Sequence, residues 1–415
     1  MKGPNLASMV WRNLWRHRRR TLLTLSSIAF GVMLAVLFTG LGDSNWRAMI
    51  QLAARLGGGH VTLQHPEYLE TPTLSRTVLG VDQLRAEALR DPDVIRVVTR
   101  ITGNLMIATA SQNYGAAFIA FDPAAEDEST LSLIEALTEG EMFPSSRDGG
   151  IILGRRLAEN LDAGLGRKVV YTLTDKNGEI VQEAARVSGI VSTGAPSVDA
   201  GLCLLPIDSL RELLGYQSDE AIQVGLFLDD HRRADAVAGR LGDLFGSQVS
   251  ALPWHQIQPE LSGFITMKVA GAWFMEAIIM ILVAAGIFNT LFVGVMERVR
   301  EFGIMLAIGF SPARLFGLVM CESLWLGLVG LVLATAVTAG PYYYMNTTGI
   351  DMTAQMGGNS AEVAGVAVSP VMYVDIYPEN LAMIAGAALL ATLLSGLYPA
   401  WKAGRVVPVE SIRLV

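Results

Sequence analysis

The sequence predicts an α-helical membrane protein with four transmembrane helices and a large α+β extracytoplasmic domain inserted between helices 1 and 2. Of its 415 residues, 51% are hydrophobic and only 17% are charged, a composition that disfavours a chain made solely of water-soluble domains. Four apolar runs are each close to the roughly 20 residues that cross a bilayer core. These runs cover residues 21–41, 270–295, 315–340 and 381–398.

Charge predicts which side of the membrane each segment faces. Residues 1–20, 296–314 and 401–415 together contain twelve Lys or Arg and three acidic residues, so the positive-inside rule places them in the cytoplasm with both termini. Residues 43–267 contain 18 basic and 30 acidic residues, and residues 341–378 contain three acids and no Lys or Arg. These two segments are expected outside, and their acidity argues against nucleic acid as a partner.

The predicted organisation has nine consecutive segments. In order, they are a cytoplasmic interfacial helix (1–20), the first span and its stalk (21–56), the external domain (57–260), the second stalk and span (261–296), a cytoplasmic turn with a short helix (297–314), the third span (315–340), an external loop (341–378), the fourth span (379–400) and a cytoplasmic tail (401–415). A cleaved signal peptide at 1–42 is the rival interpretation of the first two segments. The 21-residue apolar run is long for a signal core, and no small-x-small site follows it.

Residues 57–260 alternate between strand and helix patterns. Strands are predicted at 60–64, 94–110, 114–121, 221–228 and 248–252, with helices at 81–90 and 232–245; these give a split α+β lobe built from 57–145 and 221–260. Between its two pieces, residues 146–220 are predicted to form a smaller, mostly β lobe with strands at 168–174, 180–192 and 201–205. Its turn Asp175-Lys176-Asn177-Gly178 is a strong hairpin signal.

A short charged turn joins the second and third apolar runs. Glu297, Arg298, Arg300 and Glu301 lie between two spans and are therefore expected to face water. The apolar residues after them recur at helical spacing until Gly309, and the Ser311-Pro312 pair is a helix start signal. The pattern predicts a short helix lying against the membrane.

Nine residues in and just before this segment resemble the cytoplasmic loop of the MacB/FtsX-like permease superfamily: Asn289, Glu297-Arg298, Arg300-Glu301, Gly303, Ala307, Gly309 and Ser311. The pieces LGRRLAENLDAGLGRKV and VSGIVSTG, together with Gly327, Gly330 and Tyr398-Pro399-Ala400, extend the resemblance over most of the chain. The resemblance implies a porter-like lobe and a small β-barrel lobe outside the membrane. It also implies a coupling helix that docks on a separate ATPase, with Glu297, Arg298, Arg300, Glu301, Gly303, Ala307, Gly309 and Ser311 as the coupling residues.

The function that this resemblance implies is that of a permease subunit in an ABC transporter of the bacterial inner membrane. Two protomers, identical or related, would bind two cytoplasmic ATPase subunits, and ATP and Mg would be bound there rather than by this chain. The sequence contains no Gly-x-x-x-x-Gly-Lys-Ser/Thr phosphate loop, so this chain is not expected to be its own ATPase. No Ser, His and Asp arrangement suggests nucleophilic catalysis either, so the chain is interpreted as a membrane subunit that is not an enzyme. ATP-driven motion would be transmitted to the external lobes, which would work with a periplasmic carrier or adaptor.

Three functions remain open from sequence. The four-span form with an external domain of this size most resembles the permeases that release lipoproteins from the inner membrane. Efflux of drugs, peptides or other amphiphiles through a periplasmic adaptor is the first alternative, and regulation of cell-wall hydrolases without transport is the second.

A few further residues are candidate functional groups. Glu322 lies within the third span, where a carboxylate is costly unless it is partnered or neutral; it is interpreted as a helix-packing carboxyl, with a gating or proton-sensitive role as the alternative. The apolar residues Met33, Phe38, Phe274, Met275 and Met280 could line a cavity for acyl chains, although lipid contact is the favoured role for most of them. His60, His65 and Glu67 are interpreted as structural, so no metal site is predicted.

Overall fold

The computed structural model describes residue 15 and residues 18–353, 362–363, 365–367 and 369–405. Most of the predicted interfacial helix at 1–20 and most of the tail at 401–415 therefore lie outside the described residues. The chain divides into two units. We call residues 1–45, 266–351 and 371–415 the membrane unit, and residues 46–265 and 352–370 the α/β unit.

The described residues contain twelve α-helices and sixteen strands. The helices are α1 Arg18–Leu56, α2 Val81–Ala88, α3 Ser132–Glu135, α4 Arg155–Leu161, α5 Pro196–Gly201, α6 Ile207–Leu214, α7 Ala234–Phe245, α8 Trp254–Ile257, α9 Pro259–Glu297, α10 Val299–Ala307, α11 Pro312–Thr347 and α12 Pro378–Gly404. The strands are β1 Val61–Gln64, β2 Val78–Leu79, β3 Val94–Ala108, β4 Asn113–Phe121, β5 Leu137–Gly140, β6 Gly150–Gly154, β7 Lys168–Thr174, β8 Ile180–Val191, β9 Leu202–Pro206, β10 Glu220–Ala221, β11 Gln223–Leu228, β12 Ser250–Pro253, β13 Ile350–Asp351, β14 Glu362–Val363, β15 Val366–Ala367 and β16 Val371–Met372.

Four of these helices are long and apolar enough to cross a membrane: α1, α9, α11 and α12. Each contains one of the four apolar runs, so the predicted number of spans is confirmed. Helices α1 and α9 each have 39 residues and continue well beyond their apolar runs. Each of these two helices begins in one unit and ends in the other.

Close helix packing in the membrane unit depends on small residues. A side-chain carbon added to Gly396 of α12 would lie 2.3 Å from the Ser323 hydroxyl oxygen of α11, and one added to Gly330 would lie 2.8 Å from Ile28 of α1. Glycine at these points lets the backbones approach, which is how helices associate where lipid offers no hydrophobic driving force. The buried core there also includes Ile287 of α9.

The first lobe of the α/β unit is an antiparallel sheet with the strand order β12-β1-β11-β3. Strand β3 is rich in β-branched residues, and all four residues of β1 and all six of β11 are buried. Helix α7 packs against β12 and β1, and helix α2 packs against β3 and β11. This is the predicted split lobe, formed from two pieces that are distant in sequence.

The second lobe is a closed ring of six strands, because β3 pairs with β4, β4 with β9, β9 with β6, β6 with β8, β8 with β7, and β7 with β3. The β-barrel that the resemblance implied is therefore present. The set of strands in this barrel corrects the lobe boundaries predicted from the sequence. Strand β4 and the second half of β3 belong to the barrel, whereas the prediction assigned them to the split α+β lobe. Strand β3 serves both lobes: Val94 to Arg100 pair with β11, and Ile101 to Ala108 pair with β4.

Candidate functional site

The turn between α9 and α10 is a break of one residue. Helix α9 ends at Glu297, and Arg298 leaves the helical conformation with φ −104° and ψ 10° before α10 begins at Val299. After α10, Gly309 adopts φ +99°, a left-handed conformation that glycine tolerates at low cost. Ser311 then accepts a hydrogen bond from the Arg314 amide and caps α11, whose first residue is Pro312. The predicted stop and restart of the helix are confirmed.

Arg298 does not face water as the charge pattern had predicted. Its side chain is 9% exposed, and its Nη1 donates to Glu322 Oε2 over 3.2 Å; the Glu322 side chain is equally buried. Its Nε donates to Glu301 Oε2 over 3.2 Å. Glu322 is thus a partnered carboxyl bonded to a polar neighbour, which corresponds to the helix-packing interpretation made from the sequence.

An apolar cluster surrounds this ion pair. The Arg298 guanidinium lies 5.2 Å from the centre of the Phe302 ring, which is fully buried. Phe302 belongs to a cluster with Val295 of α9, Leu315 and Val319 of α11, and Ala400 and Ala403 of α12. Helix α10 is therefore held against three of the long helices of the membrane unit, by apolar packing and by a desolvated ion pair.

The opposite side of the turn is exposed, and we call it the docking face: Glu297, Arg300, Ile304, Ala307, Ile308, Gly309 and Ser311. Ile304 is 46% exposed and Ile308 is 71% exposed. Two large apolar side chains therefore lie beside exposed charged residues on this side of the turn.

The eight residues predicted to couple the chain to an ATPase thus fall into two sets. Glu297, Arg300, Ala307, Gly309 and Ser311 lie on the docking face. Arg298 and Gly303 are buried, and Glu301 is half-buried against Arg298. Sequence reasoning missed Ile304 and Ile308 as surface residues, although their apolar character at the end of a short helix was visible.

The five residues of the predicted acyl-chain cavity lie on α1 and α9. Phe38, Phe274 and Met275 are exposed, at 55%, 69% and 46%, whereas Met280 packs partly buried against the core of the membrane unit. Met33 is half-buried. Of the five, Phe38, Phe274 and Met275 therefore present apolar surface outward in the single chain.

The α/β unit contains one buried histidine with an incomplete hydrogen-bond set. His60 accepts a hydrogen bond from the Leu228 amide through Nδ1 over 3.0 Å, and its Nε2 has no hydrogen-bond partner among the described residues. Burial, followed by the nearby His231, lowers the pKa of His60 to about 4. The ring is therefore neutral at pH 7. Within the described part of the chain no group of three or more His, Cys, Asp or Glu could hold a metal ion.

Two family models match the chain. The MacB-like periplasmic core domain matches residues 21–244, and the FtsX-like permease C-terminal model matches residues 273–408. The first covers more than half of the chain, and the second covers the turn, the ion pair and the docking face.

Individual relatives of the chain are also ABC transporter permeases or their lipoprotein-releasing counterparts. The lipoprotein-releasing system transmembrane protein LolC of Xylella fastidiosa is 24% identical over 293 residues, which are 68% of this chain and 67% of that protein. LolE of Haemophilus influenzae is 21% identical over 95% of this chain and 97% of its own length. The macrolide export ATP-binding/permease protein MacB of Psychrobacter cryohalolentis is 22% identical over 95% of this chain, which spans 57% of that longer protein. With both family models in sequence order along it, the chain belongs to the MacB/FtsX-like family of ABC transporter permeases.

Proposed function

We propose that this permease transmits the motion of separate cytoplasmic ATPase subunits to its external lobes, and that the work done there is the extraction of lipoproteins from the bacterial inner membrane for transfer to a periplasmic carrier. The observation that carries the proposal is the two-sided turn. One side of α10 presents exposed Ile304 and Ile308, and the other is fixed to α11 by the Arg298–Glu322 pair.

A short helix built in this way is suited to transmit force. An ATPase bound to the docking face would push on α10, and the buried cluster around Phe302 would pass the displacement to the helices packed against it. Close-packed interiors have low compressibility and transmit strain. The excess of basic residues in the cytoplasmic segments predicted from the sequence supports a cytoplasmic location for the turn, where such an ATPase would hold the ATP and Mg.

The long helices offer a route outward. At a rise of 1.5 Å per residue, the 39 residues of α1 and of α9 each extend about 58 Å, against a hydrocarbon core of about 30 Å. Each helix runs from the membrane unit into the α/β unit without a break. A displacement at the membrane would therefore reach the external lobes through continuous helix. The transporter would contain two such protomers, identical or related.

Lipoprotein cargo is favoured by the relatives of similar size. Two of them are named for lipoprotein release, and the alignment with LolE spans nearly all of both chains. The exposed apolar residues Phe38, Phe274 and Met275 provide surface on which an acyl chain could lie. Efflux of another amphiphile is the alternative, because the MacB relative also aligns along 95% of this chain.

The test is reconstitution in nanodiscs that contain triacylated lipoprotein, with the ATPase that co-purifies with this chain. The proposal predicts release of the lipoprotein to a soluble periplasmic carrier when ATP is present, and no release with a non-hydrolysable analogue. A matched protein without its acyl chains is the control and should not stimulate ATP turnover. ATP turnover that responds to macrolides or peptides and not to acylated protein would contradict the assigned cargo and favour efflux.

A further inference from the structure

Strand β3 changes lobes at one residue, Arg100. Arg100 is the last residue of β3 that pairs with the four-stranded sheet, opposite Gln223. The next residue, Ile101, is the first that pairs with β4 of the barrel, opposite Ala120. The Arg100 side chain therefore emerges at the boundary between the two lobes of the α/β unit.

All five N–H groups of this guanidinium have acceptors, although the residue is completely buried. Nε and Nη2 donate to the two carboxylate oxygens of Glu126, and Nη2 also donates to the Thr130 carbonyl over 2.7 Å. Nη1 donates to the carbonyls of Arg55 and Gly57. A buried arginine with its whole donor set used is held in one geometry.

Of the two carbonyls bound by Nη1, that of Arg55 lies in the last turn of the long helix α1, which stops at Leu56, and that of Gly57 directly follows the helix. The last carbonyls of a helix lack partners within the helix and carry partial negative charge, so a guanidinium there both satisfies and stabilises them. A second hydrogen bond links the same helix end to the loop near Glu126, because the Arg55 side chain donates to the Glu128 carbonyl over 2.9 Å. Arg100 thus joins the end of α1 to the loop that carries Glu126 and Thr130.

A second arginine of β3 holds the same loop without reaching α1. Arg96 donates to the Asp127 carboxylate, to the Ser129 hydroxyl and to the Ala125 carbonyl. It is partly exposed, with 38% of its side chain accessible. The molecule therefore contains a matched pair: Arg96 ties the loop to the strand, whereas Arg100 ties the loop, the strand and the stalk helix together.

We infer that Arg100 and Glu126 form the joint through which helix α1 sets the orientation of the two external lobes. Arg100 is a positioning residue, which acts by fixing the end of α1 at the point where β3 passes from sheet to barrel. This inference rests on the proposed mechanical function, since it names the site at which motion of the helix enters the α/β unit.

The experiment uses the full-length chain with its ATPase in nanodiscs. Spin labels are placed at two exposed positions in different lobes, Asn177→Cys on the barrel hairpin and Asp243→Cys on α7, in a Cys321→Ser background. The distance between the labels is measured by pulsed electron paramagnetic resonance without nucleotide and with ATP trapped. Arg100→Lys removes the planar fork that serves two acceptors at once, and Arg96→Gln is the control.

The inference predicts that ATP changes the distance between the labels in the parent chain and in Arg96→Gln. In Arg100→Lys the change falls at least about threefold, while ATP turnover remains within about twofold of the parent. An undiminished change in folded Arg100→Lys would overturn the joint. If that variant does not assemble, Glu126→Gln, which keeps the arginine but removes one charged acceptor, must show the same loss or the joint is refuted. No ATP-dependent change in the parent chain would instead overturn the proposed mechanical function, and the joint with it.

Discussion

Arg298, in the one-residue break between α9 and α10, forms a buried ion pair with Glu322, which lies about three turns into α11. The two residues are 24 positions apart in sequence, and each is 91% shielded from solvent. Their contact joins the turn that carries the docking face to a membrane helix. The charge of Arg298 is therefore used within the permease, in the ion pair with Glu322. Only the exposed residues of the turn are available to a partner protein.

Removing one member of this pair should be far more harmful than removing both. Arg298→Met leaves the Glu322 carboxylate buried without its partner, and we expect a loss of about 3–5 kcal/mol in the free energy of unfolding. The double variant Arg298→Met with Glu322→Leu should recover most of that loss, because it leaves no buried charge. Thermal unfolding in detergent measures the stability of the single and of the double variant. Equal stability of the single variant and the parent chain would show that the pair does not hold α10.

The docking face can be tested without disturbing the core. Ile304→Asp with Ile308→Asp places two charges on exposed positions, so the permease should fold while its affinity for the ATPase falls at least about tenfold. Leu244→Asp, at an equally exposed apolar position of the α/β unit, is the control and should bind the ATPase normally. Binding is measured by titrating purified ATPase onto immobilised nanodiscs. Unchanged affinity of the double variant would move the docking site elsewhere.

Two glycines of α12 offer a matched test of helix packing. The side-chain carbon of Gly396→Ala would meet Ser323 Oγ at 2.3 Å, whereas that of Gly386→Ala would have nothing within 4 Å. We expect Gly396→Ala to lose about 1–3 kcal/mol through overpacking. Gly386→Ala should be neutral or stabilising by up to about 1 kcal/mol, since alanine favours the helix. The difference between the two midpoints of thermal unfolding decides the matter, and equal midpoints would contradict the packing of α11 on α12.

His60 should make the α/β unit sensitive to acid. Its pKa falls from 6.5 to about 4 on folding, mainly because of burial, so the unfolded chain binds the additional proton between these pH values. Stability is therefore full above pH 6.5 and decreases by about 3 kcal/mol as the pH falls to 4. Protonated Nδ1 also cannot accept from Leu228, so the protection factor of the Leu228 amide against hydrogen exchange should fall as the pH approaches 4.

The control for this prediction is another histidine of the same unit. His255 is one-third exposed and contacts Asp235, so His255→Gln should retain the acid sensitivity. His60→Gln removes the titrating group, so the protection factor of the Leu228 amide should no longer depend on pH between 6.5 and 4. A profile unchanged in His60→Gln would assign the sensitivity to another group, such as the neighbouring His231, whose pKa burial also lowers.

The sequence was sufficient for features that depend on local pattern. Long apolar runs identified the four spans, alternation located eight of the sixteen described strands to within two residues, and Gly309 with Ser311-Pro312 marked the break in the turn. Features that depend on distant partners were missed. The charge of Arg298 looked solvent-facing because nothing in the neighbouring residues shows that Glu322 lies beside it. The sharing of β3 between two lobes depends on pairing with β11 and β4, which the period of the strand does not encode.

The most direct test of the account is the set of proteins that accompanies this permease. The full-length chain is extracted into nanodiscs from its own cells, and the intact complex is weighed by native mass spectrometry. The account predicts two copies of an ABC ATPase with two permease protomers, and loss of the ATPase from the Ile304→Asp, Ile308→Asp variant. A complex that contains no ATPase, or one that retains the ATPase fully in that variant, would contradict the claim that the ATPase binds to the docking face.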